Sequence, residues 1–401
     1  MSAKTKFDKK KVTLQQSVLV IGGGMAGIHA AQELKGYGYE TTLVERADIL
    51  GGKGNYINQR ADYKKILSGV TVLTRSTLTD LSGHVGNFSA TITTPKGDKT
   101  VSCGAVVLAS GIENKGGSVL FDNENIVPIA ELKNSITELT EAETPVSVGL
   151  ILDLNIEETK AGAEMVLNMA MDLQRNHNAE VYVFCREIRV ASLELETLYD
   201  TARDASVNII KYEGTITFNT TGNFITVAAR DVILNDSIAV DCAKVGISPY
   251  GLNVSADSGL AEMVGVNLDA LGQMQDNNVH FFPGQTNRPG IFAAGSCRGQ
   301  YYAPQIITEA KSTALSVHSL LAQKSLVVEL SHAVVDEEKC ALCLTCIRSC
   351  PHKAMVIDQN KKVAMSIPEV CRKCGICVGE CPAKAIELPA YTDDIVLGQV
   401  G

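Results

Sequence analysis

Eight of the chain's twelve cysteines fall in two copies of one pattern near the C-terminus, Cys340, Cys343, Cys346, Cys350-Pro351 and Cys371, Cys374, Cys377, Cys381-Pro382. No other feature limits the fold as strongly, because each copy commits four thiolates to inorganic sites. In a CxxCxxCxxxCP run, three closely spaced thiolates serve one [4Fe-4S] cluster and the fourth serves the neighbouring cluster. The expected ligand sets are therefore Cys340, Cys343, Cys346 and Cys381 for one cluster, and Cys371, Cys374, Cys377 and Cys350 for the other. A lone CxxC pair also suits zinc. Zinc does not account for a doubled run of four with a proline after each.

Composition fits a folded carrier built around such clusters. With 401 residues, 45% hydrophobic and 20% charged, two or three domains with ample core are expected. The net charge of -9 argues against a nucleic-acid surface. Lys4, Lys6, Lys9, Lys10 and Lys11 are followed by no apolar run suited to a signal peptide or membrane span, so residues 1–15 read as a solvated basic tail. Contact with an acidic partner or a lipid surface is the alternative. Cys103, Cys185, Cys242 and Cys297 stand far apart, so a reducing cytoplasm is the expected compartment.

The N-terminal half carries a second signature. Ser17-Val18-Leu19-Val20-Ile21 suits a buried parallel strand, and Gly22, Gly24 and Gly27 follow in GxGxxG spacing. Gly22 permits the turn, Gly24 lets the backbone approach a pyrophosphate, and Gly27 lets the helix beginning at Met25 and Ala26 pack on the strand. The strand Thr41 to Val44 ends at Glu45, whose carboxylate is placed to accept from ribose hydroxyls. Further on, Val146 to Leu152 and Glu180 to Phe184 read as parallel strands flanking a helix from Ala161 to Arg175, with Met165, Leu167, Met169 and Leu173 partly inward. No GxGxxG follows Ile151-Leu152-Asp153-Leu154-Asn155, so no nicotinamide phosphate cradle is expected there. The N-terminal half also lacks a CxxC pair for dithiol exchange.

Several segments carry a family resemblance. Glu45-Arg46 followed by Gly51-Gly52 resembles the FAD-binding loop of thioredoxin-reductase-like flavoproteins. Ala105 to Gly111 and Gly290 to Ser296 resemble that superfamily's two strands that end beside FAD, with Ser296 where aspartate is usual. A helix opening at Pro304 and running to about Leu321, with Ile306, Ile307, Ala310, Ala314 and Leu315 on one face, would direct its positive end at the flavin. With Ala294-Gly295-Ser296-Cys297-Arg298-Gly299 and the cysteine runs, the chain resembles the heterodisulfide reductase A subunit family from about Ser17 to Leu388.

The resemblance implies an α/β fold, with an FAD-binding Rossmann-like (thioredoxin-reductase-like) two-domain core and a small C-terminal α+β bacterial 2[4Fe-4S] ferredoxin domain. The expected divisions are the tail at 1–15, a first FAD-binding part at 16–143, a second Rossmann-like unit at 144–230, a return segment at 231–325 and the ferredoxin domain at 330–391. FAD contacts are implied for Gly22, Gly24, Met25, Ala26, Gly27, Glu45, Arg46, Gly51, Gly52, Leu78, Ser110, Gly111, Gly295, Ser296 and Tyr301. Cofactors would be FAD and two [4Fe-4S] clusters, with Ile357 and Ile386 capping the clusters.

The implied function is an electron-transfer subunit of a heterodisulfide reductase-like complex, relaying electrons between FAD and clusters. The alternative is a self-contained NAD(P)H- or ferredoxin-dependent flavin oxidoreductase. Implied partners are B- and C-type redox subunits, with a hydrogenase, formate dehydrogenase or quinone-linked subunit beyond them, and a homodimer. No nucleic acid and no direct membrane span are expected, and the site is the cytoplasm, with a partner as the link to the inner membrane. The chain departs from larger members, which have an N-terminal cluster domain, a ferredoxin insert and further cysteines. It also places Tyr301 where flavin-bifurcating members carry lysine, and a phenol supplies no cation to a reduced flavin.

Overall fold

The computed structural model describes residues 8–52, 63–114, 123–129, 131–132, 145–154, 160–248, 254–278, 284–329, 331–392 and 395–397. The chain divides into two compact units, one of Met1–Gly111, Ala256–Gln300 and Ile306–Gly401, the other of Ile112–Ser255 and Tyr301–Gln305. The first unit thus contains both the glycine turn and the cysteine runs.

Its centre is a five-stranded parallel sheet in the order Ile291–Ala293, Ala105–Leu108, Ser17–Ile21, Glu40–Val44, Thr71–Leu73. Successive side chains of Ser17–Ile21 point to opposite faces. Val18 and Val20 join one core with helices Met25–Gly36 and Ala303–Leu321, while Leu19 and Ile21 join another with strands Thr77–His84 and Asn87–Thr94 and helix Ser258–Val264. Apolar residues on both faces require both faces to be covered. Because all five strands run the same way, their C-terminal ends carry Gly22, Glu45, Ala109 and Ala294 to one edge of the sheet.

Two local expectations need correction. Lys9–Thr13 is not tail but a strand, paired antiparallel with Ser325–Glu329; its lysines stay exposed while Val12 is buried. Lys4 and Lys6 lie outside the described residues. Helix Ala303–Leu321 buries Ile306, Ala310, Thr313, Ala314, Val317 and Leu321, whereas Leu315 is 52% exposed. Steps of three and four residues define a helix face, and Leu315, one residue beyond Ala314, turns away from it.

The C-terminal domain is an internal repeat. Helix Thr345–Ser349 recurs as Ile376–Glu380, and left-handed backbone recurs at Leu342 and Lys373, Leu344 and Gly375, and Lys353 and Lys384. Each of its two-stranded sheets takes one strand from each half, Val334–Val335 with Ile386–Glu387 and Met355–Asp358 with Val363–Ser366. Exchanged strands bring the end of each run to the start of the other.

The second unit holds a seven-stranded sheet in the order Ile126–Pro128, Lys244–Ile247, Val146–Ile151, Ala179–Cys185, Asn208–Thr221, Phe224–Asp231, Asp236–Cys242. The first five strands pair in parallel and the last two are added by antiparallel pairing. The expected parallel strands are present, with helix Lys160–Asn176 packed over them through Val166, Leu167, Ala170 and Leu173. The unit extends past 144–230 at both ends because Lys244–Ile247 inserts beside Val146–Ile151, and the return to the first unit falls at Ala256 rather than 231. Among the described residues, no helix is long and apolar enough to cross a membrane.

Candidate functional site

Glycines shape the edge where the strands of the first unit end. Gly22 has φ +108°, and a Cβ there would lie 2.2 Å from the Ala109 carbonyl oxygen. A Cβ on Gly27 would lie 1.8 Å from the Gly22 oxygen, so any side chain there would push the helix off the strand. Gly24 is different, since a Cβ built on it meets no atom within 4 Å. This is open space at the start of helix Met25–Gly36, whose N-cap supplies no side-chain bond and whose first turn holds no acidic residue. Its free N–H groups and positive end fit a pyrophosphate. Gly51 bridges to Gly24 and donates its N–H to the Gly23 carbonyl at 2.8 Å, which brings Gly51 and Gly52 over the turn.

Glu45 is held in place from both sides. Its carboxylate accepts from the Gly23 N–H at 2.6 Å and the Ala47 N–H at 2.7 Å, leaving further lone pairs for ribose hydroxyls. Arg46 is exposed beside it. Ser110 Oγ is buried without a hydrogen-bond partner. A buried hydroxyl left unbonded costs about 1–3 kcal/mol, and an arriving polar group on the cofactor would satisfy it. These observations fit a dinucleotide. Gly111, with φ +73°, meets nothing within 4 Å at its Cβ position, and a Cβ on Gly295 would approach Ala26 Cβ to 2.6 Å, so Met25, Ala26, Ser110, Gly111, Gly295 and the half-buried Ser296 share one edge. Leu78 is packed in the core among Leu19 and Ile92, which leaves only its backbone for a ligand. Tyr301 clusters with the other compact unit and is the one predicted flavin residue outside this one.

Sequence reasoning passed over Arg298, which lies in the turn Gly295–Arg298 and is 9% exposed. Its guanidinium bonds Asp276 and Glu309, while Glu309 also accepts from the Gly295 N–H. Burial raises the Glu309 pKa above the usual carboxylate range, opposed by Arg298 and the Gly295 N–H. Cys297 beside it is fully buried, and desolvation pushes its thiol up to about 12. A thiol held neutral is a packing residue rather than a nucleophile.

The two cysteine runs line two separate cavities. One is lined by Cys340, Cys343, Cys346 and Cys381, the other by Cys371, Cys374, Cys377 and Cys350. Among the described residues, no group of three or more His, Cys, Asp or Glu is disposed to hold a single metal ion. The four cysteines of each set line one cavity. The Ala354 N–H donates to Cys350 Sγ and the Ala385 N–H to Cys381 Sγ, both at 3.3 Å; such bonds tune a cluster's potential. Ile386 lines the first cavity, but Ile357 is 36% exposed and lines neither. Its place is taken by Met355, the repeat equivalent of Ile386, which lines the second. Counting along the repeat, rather than two residues past each turn, identifies it.

In the second unit, Asp153 ends the strand Val146–Ile151 as a buried carboxylate. It accepts from the Arg186 N–H at 2.7 Å and the Tyr212 hydroxyl at 3.2 Å, and burial raises its pKa. Residues 155–159, where the sequence predicted no phosphate cradle, lie outside the described residues.

Comparisons with known proteins agree with this layout. The pyridine nucleotide-disulphide oxidoreductase family matches residues 2–123 and the 4Fe-4S dicluster domain family matches residues 332–382. The iron-sulfur A subunit of the CoB--CoM heterodisulfide reductase of Methanocaldococcus jannaschii is 23% identical, over 86% of this chain and 70% of that protein. The chain is similar to heterodisulfide reductase A subunits, and carries both a pyridine nucleotide-disulphide oxidoreductase match and a 4Fe-4S dicluster match. The A subunit of the H(2)/formate:CoB-CoM heterodisulfide,ferredoxin reductase of Methanococcus maripaludis is 32% identical over 56% of this chain, which spans only 34% of that protein's length. Among solved structures, T. acidophilum thioredoxin reductase superposes with a TM-score of 0.52 at 16% identity, covering 76% of this chain and 97% of that one. Lactococcus lactis thioredoxin reductase gives 0.53 at 16% identity, covering 77% and 99%. The FAD-binding thioredoxin-reductase-like fold and an iron-sulfur domain are thus both present in this subunit-type oxidoreductase.

Replacing Gly24 with valine is expected to abolish FAD retention while the protein stays folded, because the new side chain fills the one open position of the turn. Flavin absorbance per chain after gel filtration measures this. Full occupancy in the variant would refute the site.

Proposed function

We propose that this flavoprotein binds FAD at the edge formed by Gly22, Gly24, Gly27, Glu45, Gly51, Ser110 and Gly295, and two [4Fe-4S] clusters in the two cysteine cavities, and relays electrons between them as one member of a larger redox complex. FAD supplies two-electron exchange when bound and each cluster one-electron exchange. The reading rests above all on the two cavities of four cysteines lying in the same compact unit as the glycine turn. The turn orients the pyrophosphate, Glu45 holds the ribose end, and the buried Arg298 network fixes the backbone of Gly295. The cysteine domain, 330–391, works as the electron port and residues 16–111 with 256–300 and 306–325 as the flavin domain. Partners resembling the other subunits of heterodisulfide reductases, in the cytoplasm, complete the assembly.

Anaerobic stopped-flow mixing of cluster-replete protein with NADH or NADPH tests this. The flavin band is expected to stay oxidised on the turnover timescale, whereas dithionite reduces flavin and clusters together to a shared equilibrium. Rapid flavin bleaching by either nicotinamide, followed by cluster bleaching, would make the chain a self-contained oxidoreductase. Clusters that failed to equilibrate with the flavin would sink the relay.

A further inference from the structure

We propose that the two cysteine centres act in a set order, the Cys371, Cys374, Cys377 and Cys350 centre next to the flavin domain and the Cys340, Cys343, Cys346 and Cys381 centre beyond it, with a hydrogen-bonded bridge through Asn287 joining the near centre to the flavin turn. This rests on the cofactor assignment above and adds to it an order and a connecting residue.

The bridge can be followed bond by bond. Cys297, in the flavin turn, accepts at its carbonyl from the Met274 N–H at 2.7 Å, and the next residue, Gln275, donates its N–H to the Asn267 carbonyl at 2.9 Å. The Asn267 N–H donates to Asn287 Oδ1 at 2.9 Å. Asn287 Nδ2 donates to the Gly265 carbonyl at 3.0 Å and, across to the cysteine domain, to the Pro351 carbonyl at 2.8 Å. Pro351 directly follows the ligand Cys350. Asn287 is 9% exposed with both ends of its amide bonded, and losing one partner leaves a buried polar group unpaired, so the docking has one register. His352 Nδ1 lies 3.4 Å from the Asn287 carbonyl.

Other contacts attach the same side of the cysteine domain. Lys373, between two ligands of the near centre, pairs with Glu329 at 2.8 Å, and Glu369, just before that run, pairs with Lys10 at 2.9 Å. The ion pairs beside the other centre, Lys339 with Asp336 and Lys361 with Glu337, stay inside the cysteine domain. The linings differ accordingly. His352, Arg372 and Lys373 line the near cavity, while alanines, leucines and Ile386 accompany the cysteines of the far one. With the cofactors bound, the near centre would take one electron at a time from the reduced flavin and hand it to the far centre, so that the two electrons of one reduced flavin end as one on each centre, with the same order in reverse.

The two signals can be told apart by charge. Arg372→Glu places a carboxylate at the near cavity and Ala341→Glu places one at the far cavity, each expected to lower the midpoint potential of one cluster signal in an EPR titration. A nitroxide on Glu262→Cys, an exposed position three residues before Gly265, then reports distance through its relaxation in dithionite-reduced, cluster-replete protein. The order holds if the signal moved by Arg372→Glu relaxes the label more strongly, and is overturned if the signal moved by Ala341→Glu does. Dithionite can donate to the clusters directly, with no electron routed through the flavin, so a chain whose flavin and clusters exchanged no electrons would overturn the relay and leave this assignment readable. For the bridge, Asn287→Ala, or Asn287→Asp if the first fails to fold, should slow flavin-to-cluster transfer at unchanged iron content and potentials. An unchanged rate would remove Asn287 from the path.

Discussion

Replacing Arg298 with alanine is expected to destabilise the flavin domain by about 3–5 kcal/mol, because it leaves two carboxylates in the interior without their cation. The side chains of Arg298, Asp276 and Glu309 are 9%, 14% and 15% exposed, so water cannot replace the guanidinium at either partner. The loss should depend on pH in a defined direction. Glu309 already has its pKa raised by burial, and without Arg298 it rises further. A carboxyl with a raised folded-state pKa contributes stability that is present below its unfolded value of about 4.3 and is lost as pH rises through the folded value. The variant should therefore lie closer to the parent near pH 4.5 than at pH 8, as measured by urea unfolding at both. A deficit that did not change between these pH values would mean that the network is solvated. Arg298→Lys should recover part of the loss, since lysine restores the charge but not the paired geometry to two carboxylates.

The second large effect is expected from Cys350→Ala. Cys350 belongs by position to the first run, yet lines the cavity of Cys371, Cys374 and Cys377. Its removal should deplete the second cluster and spare the first, leaving roughly half of the iron and sulfide. The cysteine domain should also become prone to unfolding. Its core consists largely of Cys346, Cys350, Cys377 and Cys381 with small residues such as Ala333, Ala354, Ala364 and Ala385, so a missing cluster takes away much of what the domain packs around. EPR with iron analysis settles which cluster is lost, and proteolysis tests the unfolding. Loss of the first cluster instead would make the crossed ligand sets wrong.

Much of the candidate site was legible because its signals are local. Cysteine spacing within a run, a proline after it and glycines after a buried strand are set by a few consecutive residues, and the turns they specify are short. The parallel strands were legible for a related reason, since Ser17–Ile21 and Ala105–Leu108 are apolar on both faces. Errors arose where a pattern had to be extended past local geometry. Lys9–Thr13 looked like a tail because lysines fill it, and nothing nearby in sequence announces Ser325–Glu329 as its partner. The sequence points to Ile357 where the structure has Met355, because the exchange of strands between the halves, which fixes the inward residue, is not visible from either run alone.

By itself the sequence determined the chemistry on offer, eight thiolates in two runs and a glycine turn at the end of a strand, since spacing along a covalent chain bounds what neighbouring residues can reach. Only the tertiary structure decided which distant charges and amides meet. Arg298 finds Asp276 and Glu309, and Asn287 finds Pro351, because helices, a hairpin and a separate small domain pack at the sheet. Burial then makes those contacts obligatory, since a buried polar group without its partner carries an energy penalty that no exposed residue of the same type would face.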